Sequence, residues 1–521
     1  MKNSLNSKLL QTVLIVSALN LFLPLMGQEQ VYFNKRIDHH NNKDNARNII
    51  ETDSGYVIGA YTYDADPAYM YEVHLTITGI NYQGEETFYK EYGYDTINMF
   101  FGNPGSLIRY SDDKYMSVGT YRIFKQSFSD DRGMLICYNV DFDTLWMKHY
   151  AEKTVPHDTA FMFYQVKKTI GGGLIMTGLR NPGSSKFHAW LIKTDSLGSM
   201  LWERFYGDGV EYYSGHSVVQ TADGGYVIGG FKYLLGMISR GDPLIIKTDS
   251  LGIEEWRINP GNPDIDDNKA MIALAADGNI IVGTNYGIQE SGLNQWMVVK
   301  IMKISPDGDV LWDYNYGDPG YDKFLLNTTV LENGNIITNG VVSYFGNDDP
   351  VGTSWILCVD SVGTQLWYKE YVLLEGFNTL NDVRYTSTDH GLIGCGMADP
   401  IFPEDTGNPD IWVMKMDSVG CLEAGCDTTV VVIEYGENEK VRLLVFPNPV
   451  QDVLSVNIKG NTCESSQIEV YNMYGLKVEE VIIPPAKASA TIHCRSWSDG
   501  MYVVRLKANS KTLQNVKLIK Q

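Results

Sequence analysis

Thr221-Ala-Asp-Gly-Gly-Tyr-Val-Ile-Gly-Gly230 and Glu51-Thr-Asp-Ser-Gly-Tyr-Val-Ile-Gly-Ala60 are two copies of one pattern: a polar turn, an apolar triplet, then small residues. Aligning on the start of that triplet puts Tyr56, Tyr115, Leu174, Tyr226, Ile280, Ile336 and Leu392 in one column, 52 to 59 residues apart. A second column follows within each unit: Lys193-Thr-Asp-Ser-Leu-Gly198, Lys247-Thr-Asp-Ser-Leu-Gly252, Val359-Asp-Ser-Val-Gly363 and Met416-Asp-Ser-Val-Gly420, with Ser305-Pro-Asp-Gly308 as a variant. Four residues past the glycine position stands an aromatic: Phe88, Trp202, Trp256, Trp312 and Trp367, with Trp146 displaced by one. A fixed period of this length marks a repeat architecture, which outranks any domain count taken from length.

Each unit carries four short runs, clearest at Ser217–Thr221, Tyr226–Phe231, Leu244–Thr248 and Ile253–Ile258. Their alternation and β-branched content read as strands, joined by hairpins at Asp-Gly and Ser-Leu-Gly. Four-stranded units repeating radially make a β-propeller, here with seven blades. The seventh unit ends at Gly420 without a fourth strand, and Ala424 stands where the aromatic is due. Val31-Tyr-Phe-Asn-Lys-Arg-Ile37 has the pattern of the missing strand. An N-terminal strand that completes the last blade closes the ring and leaves no open sheet edge. The glycines suit positive φ in the turns, and the aromatic column suits packing between neighbouring blades.

Composition agrees with this and narrows the partners. Of 521 residues, 44% are hydrophobic and 20% charged, an ordinary globular balance, and 50 Gly with 33 Tyr favour short strands and tight turns. The net charge of −21 argues against nucleic acid and against anionic membrane surfaces, both of which are held by Lys and Arg.

Residues 1–27 read as a signal peptide, with Lys2 and Lys8 ahead of an apolar run from Leu9 to Leu23, then Pro24 and Gly27. No later segment reaches transmembrane length, so the mature chain is expected to have none. The expected propeller spans 28–426, a polar linker 427–443, and a further module 444–521. Seven cysteines fit an exported chain. Disulfides are expected within Cys421/Cys426 and within Cys463/Cys494, while Cys137, Cys358 and Cys395 lie in apolar strands as buried thiols.

The last module alternates strands with Gly and Pro turns, the pattern of a small Ig-like antiparallel β-sandwich. Its Phe446-Pro447-Asn448-Pro449 opening, Val470-Tyr-Asn-Met-Tyr-Gly475, Asp499-Gly500-Met-Tyr502-Val-Val-Arg-Leu506 and terminal Lys517-Leu-Ile-Lys520 resemble the C-terminal sorting domain of type IX secretion cargo in Bacteroidota. The resemblance implies recognition of residues 444–521 by the translocon and sorting machinery, with the last strand, Lys517 and Lys520 in the signal. It implies an end point outside the cell or on the outer-membrane surface of a Gram-negative bacterium. The repeats themselves are similar to uncharacterised propellers carried by such cargo, a likeness that brings no ligand.

Enzyme motifs are sparse: the sequence has no P-loop, no HExxH and no Gly-x-Ser-x-Gly. The Asp195 to Trp202 rhythm is similar to a quinoprotein docking repeat but lacks the adjacent cysteines. Ser305-x-Asp307 with Trp312 resembles an Asp box, with Asp309 where that motif has Gly. The Asp-Gly and Asp-Ser-Leu-Gly hairpins are all short, so the longer loops fall on the opposite face, where binding sites usually sit. Candidate ligand-binding residues there are Tyr63, His188, Tyr206, Tyr212, Tyr213, His216, Tyr286, Tyr316, Tyr321, Asp348 and Asp349, aromatics and carboxylates of the kind that hold sugars or peptides. Asp44, Asp95, Asp158, Glu211, Asp264 and Asp322 precede the first strands and would ring the channel mouth, where calcium would find oxygen ligands; start-of-strand turns in an acidic chain are the simpler reading. Ser196, Ser250, Ser361 and Ser418 resemble glycosylation acceptors, and hairpin geometry accounts for them as well.

The expected function is a secreted or surface-displayed, non-catalytic module binding glycan, peptide or envelope protein. The alternative is a polysaccharide hydrolase or lyase using a pair of loop carboxylates in the funnel, spaced for acid–base work.

Overall fold

The repeat period reappears as sheet topology in a computed structural model of the chain. It describes residues 30–423 apart from 41, 64–71, 94–96, 126–127, 151–158, 182–186, 209, 235–240, 263–264, 290–294, 318–321, 346–349, 374–375 and 401–407. It also describes residues 442–520 apart from 447–449, 460–465, 473–475, 485–488, 499 and 509–510. The described residues are all-β with no helix, so none is long and apolar enough to cross a membrane. Two compact units divide the chain, 1–428 and 429–521. The expected signal peptide and the 427–441 part of the expected linker lie outside the described residues.

In the larger unit a single strand, β1 (Phe33–Ile37), precedes a series of antiparallel meanders. The first is β2 (Lys43–Thr52), β3 (Gly55–Tyr63), β4 (Val73–Ile80) and β5 (Glu86–Tyr92). In the second the inner strand is split into β6 (Ile97–Phe101) and β7 (Leu107–Ser111), followed by β8 (Lys114–Lys125), β9 (Phe128–Tyr138) and β10 (Thr144–Tyr150). The third is β11 (Thr159–Lys168), β12 (Leu174–Asn181), β13 (His188–Thr194) and β14 (Met200–Tyr206). The fourth is β15 (Glu211–Gln220), β16 (Tyr226–Leu234), β17 (Gly241–Thr248) and β18 (Glu254–Ile258). The fifth is β19 (Met271–Leu274), β20 (Ile280–Gln289), β21 (Gln295–Ile304) and β22 (Val310–Tyr316). The sixth is β23 (Asp322–Val330), β24 (Ile336–Phe345), β25 (Pro350–Val359) and β26 (Gln365–Tyr371). The last has β27 (Gly376–Tyr385), β28 (Leu392–Pro400) and β29 (Asp410–Met416), and its outer neighbour is β1.

The β1–β29 ladder sets Phe33 opposite Lys415 and Ile37 opposite Ile411. Trp202 faces Lys193 and Trp256 faces Lys247 in the same register, so Phe33 occupies the aromatic column. β1 therefore takes the position that a fourth strand holds in the other units.

Each Asp-Ser-x-Gly turn is built by its own side chain. The Asp249 carboxylate accepts the N–H groups of Leu251 and Ile253, both at 2.8 Å, and Gly252 takes φ 75°. In the second unit Phe142 stands at this place with φ 59°; it is buried and stacks on Tyr115 at 4.5 Å, which offsets the strain of a left-handed residue with a Cβ.

These turns are the outer joints between units. A Cβ on Gly252 would stand 2.8 Å from the Trp202 ring, and Tyr206 Oη donates to the Gly252 carbonyl at 2.7 Å. Tyr150, Tyr316 and Tyr371 donate in the same way to Gly198 (2.5 Å), Gly363 (2.5 Å) and Gly420 (2.8 Å). Where the fourth unit lacks the tyrosine, Trp256 Nε1 donates to the Pro306 carbonyl at 3.0 Å. At the joint made by β1, the Phe33 ring covers Gly84, and Lys35 Nζ donates to the carbonyls of Gln83 (2.9 Å) and Gly84 (3.1 Å). Each neutral tie is worth about 1 kcal/mol, and burial of the aromatic ring about 2–3 kcal/mol.

A second set of ties links each unit to the next at or beside the first strands. Asn48 accepts Ser106 N–H (2.9 Å), Gln165 accepts Val218 N–H (2.8 Å), and Ser217 accepts Ile272 N–H (2.9 Å). Gly105 O accepts Val166 N–H (3.2 Å), and Asn285 accepts Leu325 N–H (3.0 Å). Asn327 donates to Asp382 (2.9 Å), whose other oxygen accepts Ile49 N–H (3.2 Å), back in the first unit. The chain of ties returns to its starting strand.

The smaller unit has two antiparallel sheets. One joins β30 (Arg442–Phe446), β31 (Val453–Lys459) and β34 (Ser489–His493); the other joins β32 (Ser466–Asn472), β33 (Lys477–Ile483), β35 (Gly500–Ala508) and β36 (Lys511–Lys520). Leu454, Val456 and Ile492 of the first share one apolar core with Val470, Val504 and Leu518 of the second. β36 pairs along the whole of β35, which seats the backbones of Lys517 and Lys520 in the sheet; Lys520 is buried. Gly500 opens β35, and buried Tyr502 donates to Ser498 O at 2.8 Å. Pro447, Asn448, Pro449 and Gly475 lie outside the described residues.

Cys421 is disulfide-bonded, with Cys426 outside the described residues. Cys494 corrects one expectation: it is a free thiol, buried in the core of the small unit beside Ile492, and Cys463 lies outside the described residues. Apolar burial suits a thiol as it stands. Cys137, Cys358 and Cys395 are free and buried.

Candidate functional site at the inner edge of the units

Five of the first strands carry the same irregularity. The ladder to the second strand slips between Ala46 and Asn48, Phe163 and Gln165, Gly215 and Ser217, Leu325 and Asn327, and Leu380 and Asp382. Arg47, Tyr164, His216, Leu326 and Asn381 are thereby left out of the pairing, as the extra residue of a β-bulge is. The fifth unit begins pairing at Met271, two residues after Lys269. A bulge re-aims its side chain, and here it does so at one level of successive units.

The re-aimed groups meet. His216 stacks on Tyr164 with ring centres 4.5 Å apart and planes 6° from parallel, and its Nδ1 lies 2.8 Å from Asn103 Nδ2. Three consecutive units thus contribute to one polar cluster. Burial holds the His216 imidazole well below its usual range, with the nearby charge of Lys269 adding to the effect, so the ring is neutral at pH 7. Burial also pushes the Tyr164 phenol up to about 12.

Cations dominate the same edge. Arg47 donates to the Tyr61 hydroxyl at 2.7 Å from Nη2 and lies over that ring. Burial, then the charge of Arg47, brings Lys269 down to about 8. Burial, then the charge of Arg384, does the same to Lys167. Arg384 is paired with Asp382 at 2.8 Å.

The residues expected on a ligand face fall into different roles. Tyr206 is buried and Tyr316 half-buried, and both are the outer joints described above. Tyr213 is buried and donates to Glu211 at 2.7 Å. Tyr212 stacks on Tyr233 at 4.4 Å and meets Phe187. Tyr286 lies under Lys300 Nζ, and Tyr63 packs edge-on to Tyr61. His188 begins β13 opposite Arg180. His216 alone of this group belongs to the inner cluster; Tyr321, Asp348 and Asp349 lie outside the described residues.

The acidic residues expected around the mouth separate as well. Asp44 meets Asp38 and Asp410, one oxygen of each lying within 4.8 Å of the others, at the joint between first and last units. Glu211 is engaged with Tyr213, and Asp322 accepts Met297 N–H at 2.8 Å. Asp95, Asp158 and Asp264 lie outside the described residues. Burial pushes Asp44 up to about 7, its oxygens accept from Thr62 Oγ1 (2.5 Å) and His39 N–H (3.1 Å), and Arg36 pairs with Asp410. Proton, donors and guanidinium already answer the charge of this group.

Arg47, Tyr164, Lys167, Lys269 and Arg384 were not among the expected site residues. The signal for the bulged ones is position: Arg47, Tyr164 and His216 stand nine or ten residues before the apolar-triplet column.

Residues 444–521 match the secretion system C-terminal sorting domain family. The chain is therefore secreted or surface-attached, and this domain interacts with the type IX secretion machinery. No curated protein matches the sequence. Among solved structures the larger unit is similar to a polysaccharide lyase, PL25 ulvan lyase bound to -[GlcA(1-4)Rha3S]- (8% identity, 74% of this chain, 97% of that one, TM-score 0.44). It is also similar to the polysaccharide lyase Uly1 (10%, 77% and 95%, 0.42) and to an α-L-arabinanase of Penicillium chrysogenum (12%, 74% and 97%, 0.37). At these scores the likeness assigns no substrate or activity to this chain.

Proposed function

We propose that the larger unit is a seven-bladed β-propeller closed by β1, exported through an Ig-like sorting domain to act as a non-catalytic binding module. The observation that carries this is the inner edge, where bulges in the first strands turn out Arg47, Tyr164 and His216, groups able to hydrogen-bond and stack on a ligand. Asn381, at the same place in the last unit, is buried and tied to Asn45 and the Ala46 carbonyl. Aromatic faces with convergent donors are the usual furniture of a carbohydrate or peptide site. The Asp382 carboxylate at this edge is committed to Asn327, Ile49 N–H and Arg384.

The test is a panel of oligosaccharides and envelope proteins presented to the purified exported protein, with calcium titrated in parallel. Saturable binding without change of the ligand supports the module. New reducing or unsaturated ends in a bound polysaccharide would replace it with the hydrolase or lyase reading.

A further inference from the structure

The inner edge presents three cations, Arg47, Lys167 and Lys269, with no carboxylate at ion-pair distance among the described residues. Arg384 beside them is paired with Asp382, whose charge also reaches Lys167. Elsewhere in the larger unit Lys193 donates to Thr169 Oγ1, while other lysines are paired with carboxylates: Lys247 with Asp223 and Glu255, both at 2.7 Å, Lys415 with Asp389 at 2.7 Å, and Lys300 with Asp313 at 2.8 Å. Among the described residues Arg47, Lys167 and Lys269 have no such partner. The neutral Tyr61 hydroxyl is what Arg47 touches.

Their places in the fold bring these charges towards one another. Arg47 sits on the first unit and Lys269 on the fifth; Lys167 sits on the third and Arg384 on the last. Each pair is thus three or four steps apart round the circle, which in a closed ring means opposite sides of the centre. Lys167 faces Ile175 and Arg384 faces Ile393 in their ladders, the same register position in two units, so these two share one level. Arg47 lies nearer the start of its strand, at the level of the bulges. Like charges facing across a partly buried space raise the energy of the empty protein, and a chain carrying −21 had many carboxylates with which to cancel them. Cost without cancellation is the mark of a group kept for a ligand.

We propose that the centre of the ring is an oxyanion site, taking a carboxylate or sulfate group of an anionic glycan between Arg47 and Lys269, with Lys167 one level further along, beside the Arg384–Asp382 pair. The acidic exterior repels the same ligand, so binding is confined to the axis. The His216 ring lies near Lys269, its two nitrogens held by Asn103 Nδ2 at 2.8 Å and Ser214 Oγ at 2.9 Å. Entry of an anion would raise both lysines back towards their ordinary range. The inference rests on the binding-module reading and adds the ligand's charge to it.

Calorimetry on the exported protein separates the outcomes. The probes are a uronate oligosaccharide, a sulfated one, a neutral one of equal length, and inorganic sulfate alone. Charge-assisted contacts predict that the anionic oligosaccharides bind at least about tenfold more tightly than the neutral one, and that added salt weakens them. Lys269→Met should lose about tenfold for the anionic probes alone, Lys269→Arg should keep it, and the melting temperature of Lys269→Met should hold or rise. Lys167→Met gives an independent reading should the first variant fold poorly. Inorganic sulfate binding as tightly as the oligosaccharides supports the site and identifies a free oxyanion as its occupant. Equal affinity for neutral and anionic sugars, unchanged in Lys269→Met and Lys167→Met, overturns the anion site and leaves the module standing; no binding of any oligosaccharide or envelope protein overturns the module itself.

Discussion

The Phe33 ring lies over Gly84, leaving a Cβ there only 3.0 Å from it, as Trp202 lies over Gly252 three units further on. A residue near the described N-terminus and one in the first unit's turn thereby make a joint of the same kind as those between sequence neighbours. The hairpin that joins third and fourth strands elsewhere is replaced by the pairing of β1 with the sequence-distant β29, and the energy of the joint is packing energy.

Phe33→Ala should therefore act as a core truncation. It removes a ring that is 8% exposed and opens the contact with Gly84, for an expected loss of about 3 kcal/mol. Thermal unfolding followed by circular dichroism measures it, and a melting temperature equal to wild type would show that β1 does not hold the ring shut.

Tyr206→Phe tests whether the tyrosine column is structural. Loss of the hydrogen bond to Gly252 O should cost about 1 kcal/mol while ligand affinity stays at the wild-type value. Lost affinity at unchanged stability would return Tyr206 to the ligand face.

Asp44 predicts a pH signature. Its folded pKa lies near 7, raised by burial, against about 4 when unfolded, so the fold binds a proton that the open chain releases in that window. The stabilisation it carries is complete below pH 4 and is lost as pH rises towards 7. Asp44→Asn should accordingly gain on wild type in melting temperature from pH 4 to pH 7; a difference constant with pH counts against the buried carboxylic acid.

Removal of residues 444–521 should leave the larger unit folded and retained inside the cell. Fractionation and immunoblotting read this directly, and normal appearance of the truncated chain in the medium would contradict the sorting role.

Much of this protein is written locally. The Asp-Ser-x-Gly turns were legible because an Asx turn needs only its own five residues, as Asp249 shows. The strands were legible because alternation over a few residues sets which face is buried. The partner of β1 was legible because the last unit lacked its fourth strand, and Phe33 sits where that pattern requires. Tyr206 and Tyr316 were expected as ligand groups, and in the fold their hydroxyls donate to neighbouring turns; a tyrosine at a strand end has the same sequence context in either role.

Sequence alone determined the repeat, the closing strand and the route out of the cell, since each depends on short patterns that fold or are recognised as they stand. Tertiary structure alone decided which side chains share the centre. Arg47 and Arg384 are separated by most of the chain, and a bulge of one residue selects which groups turn inward. In the proposed ring, convergence of that kind comes from the curvature of the whole, a sum over every joint, which no single segment contains.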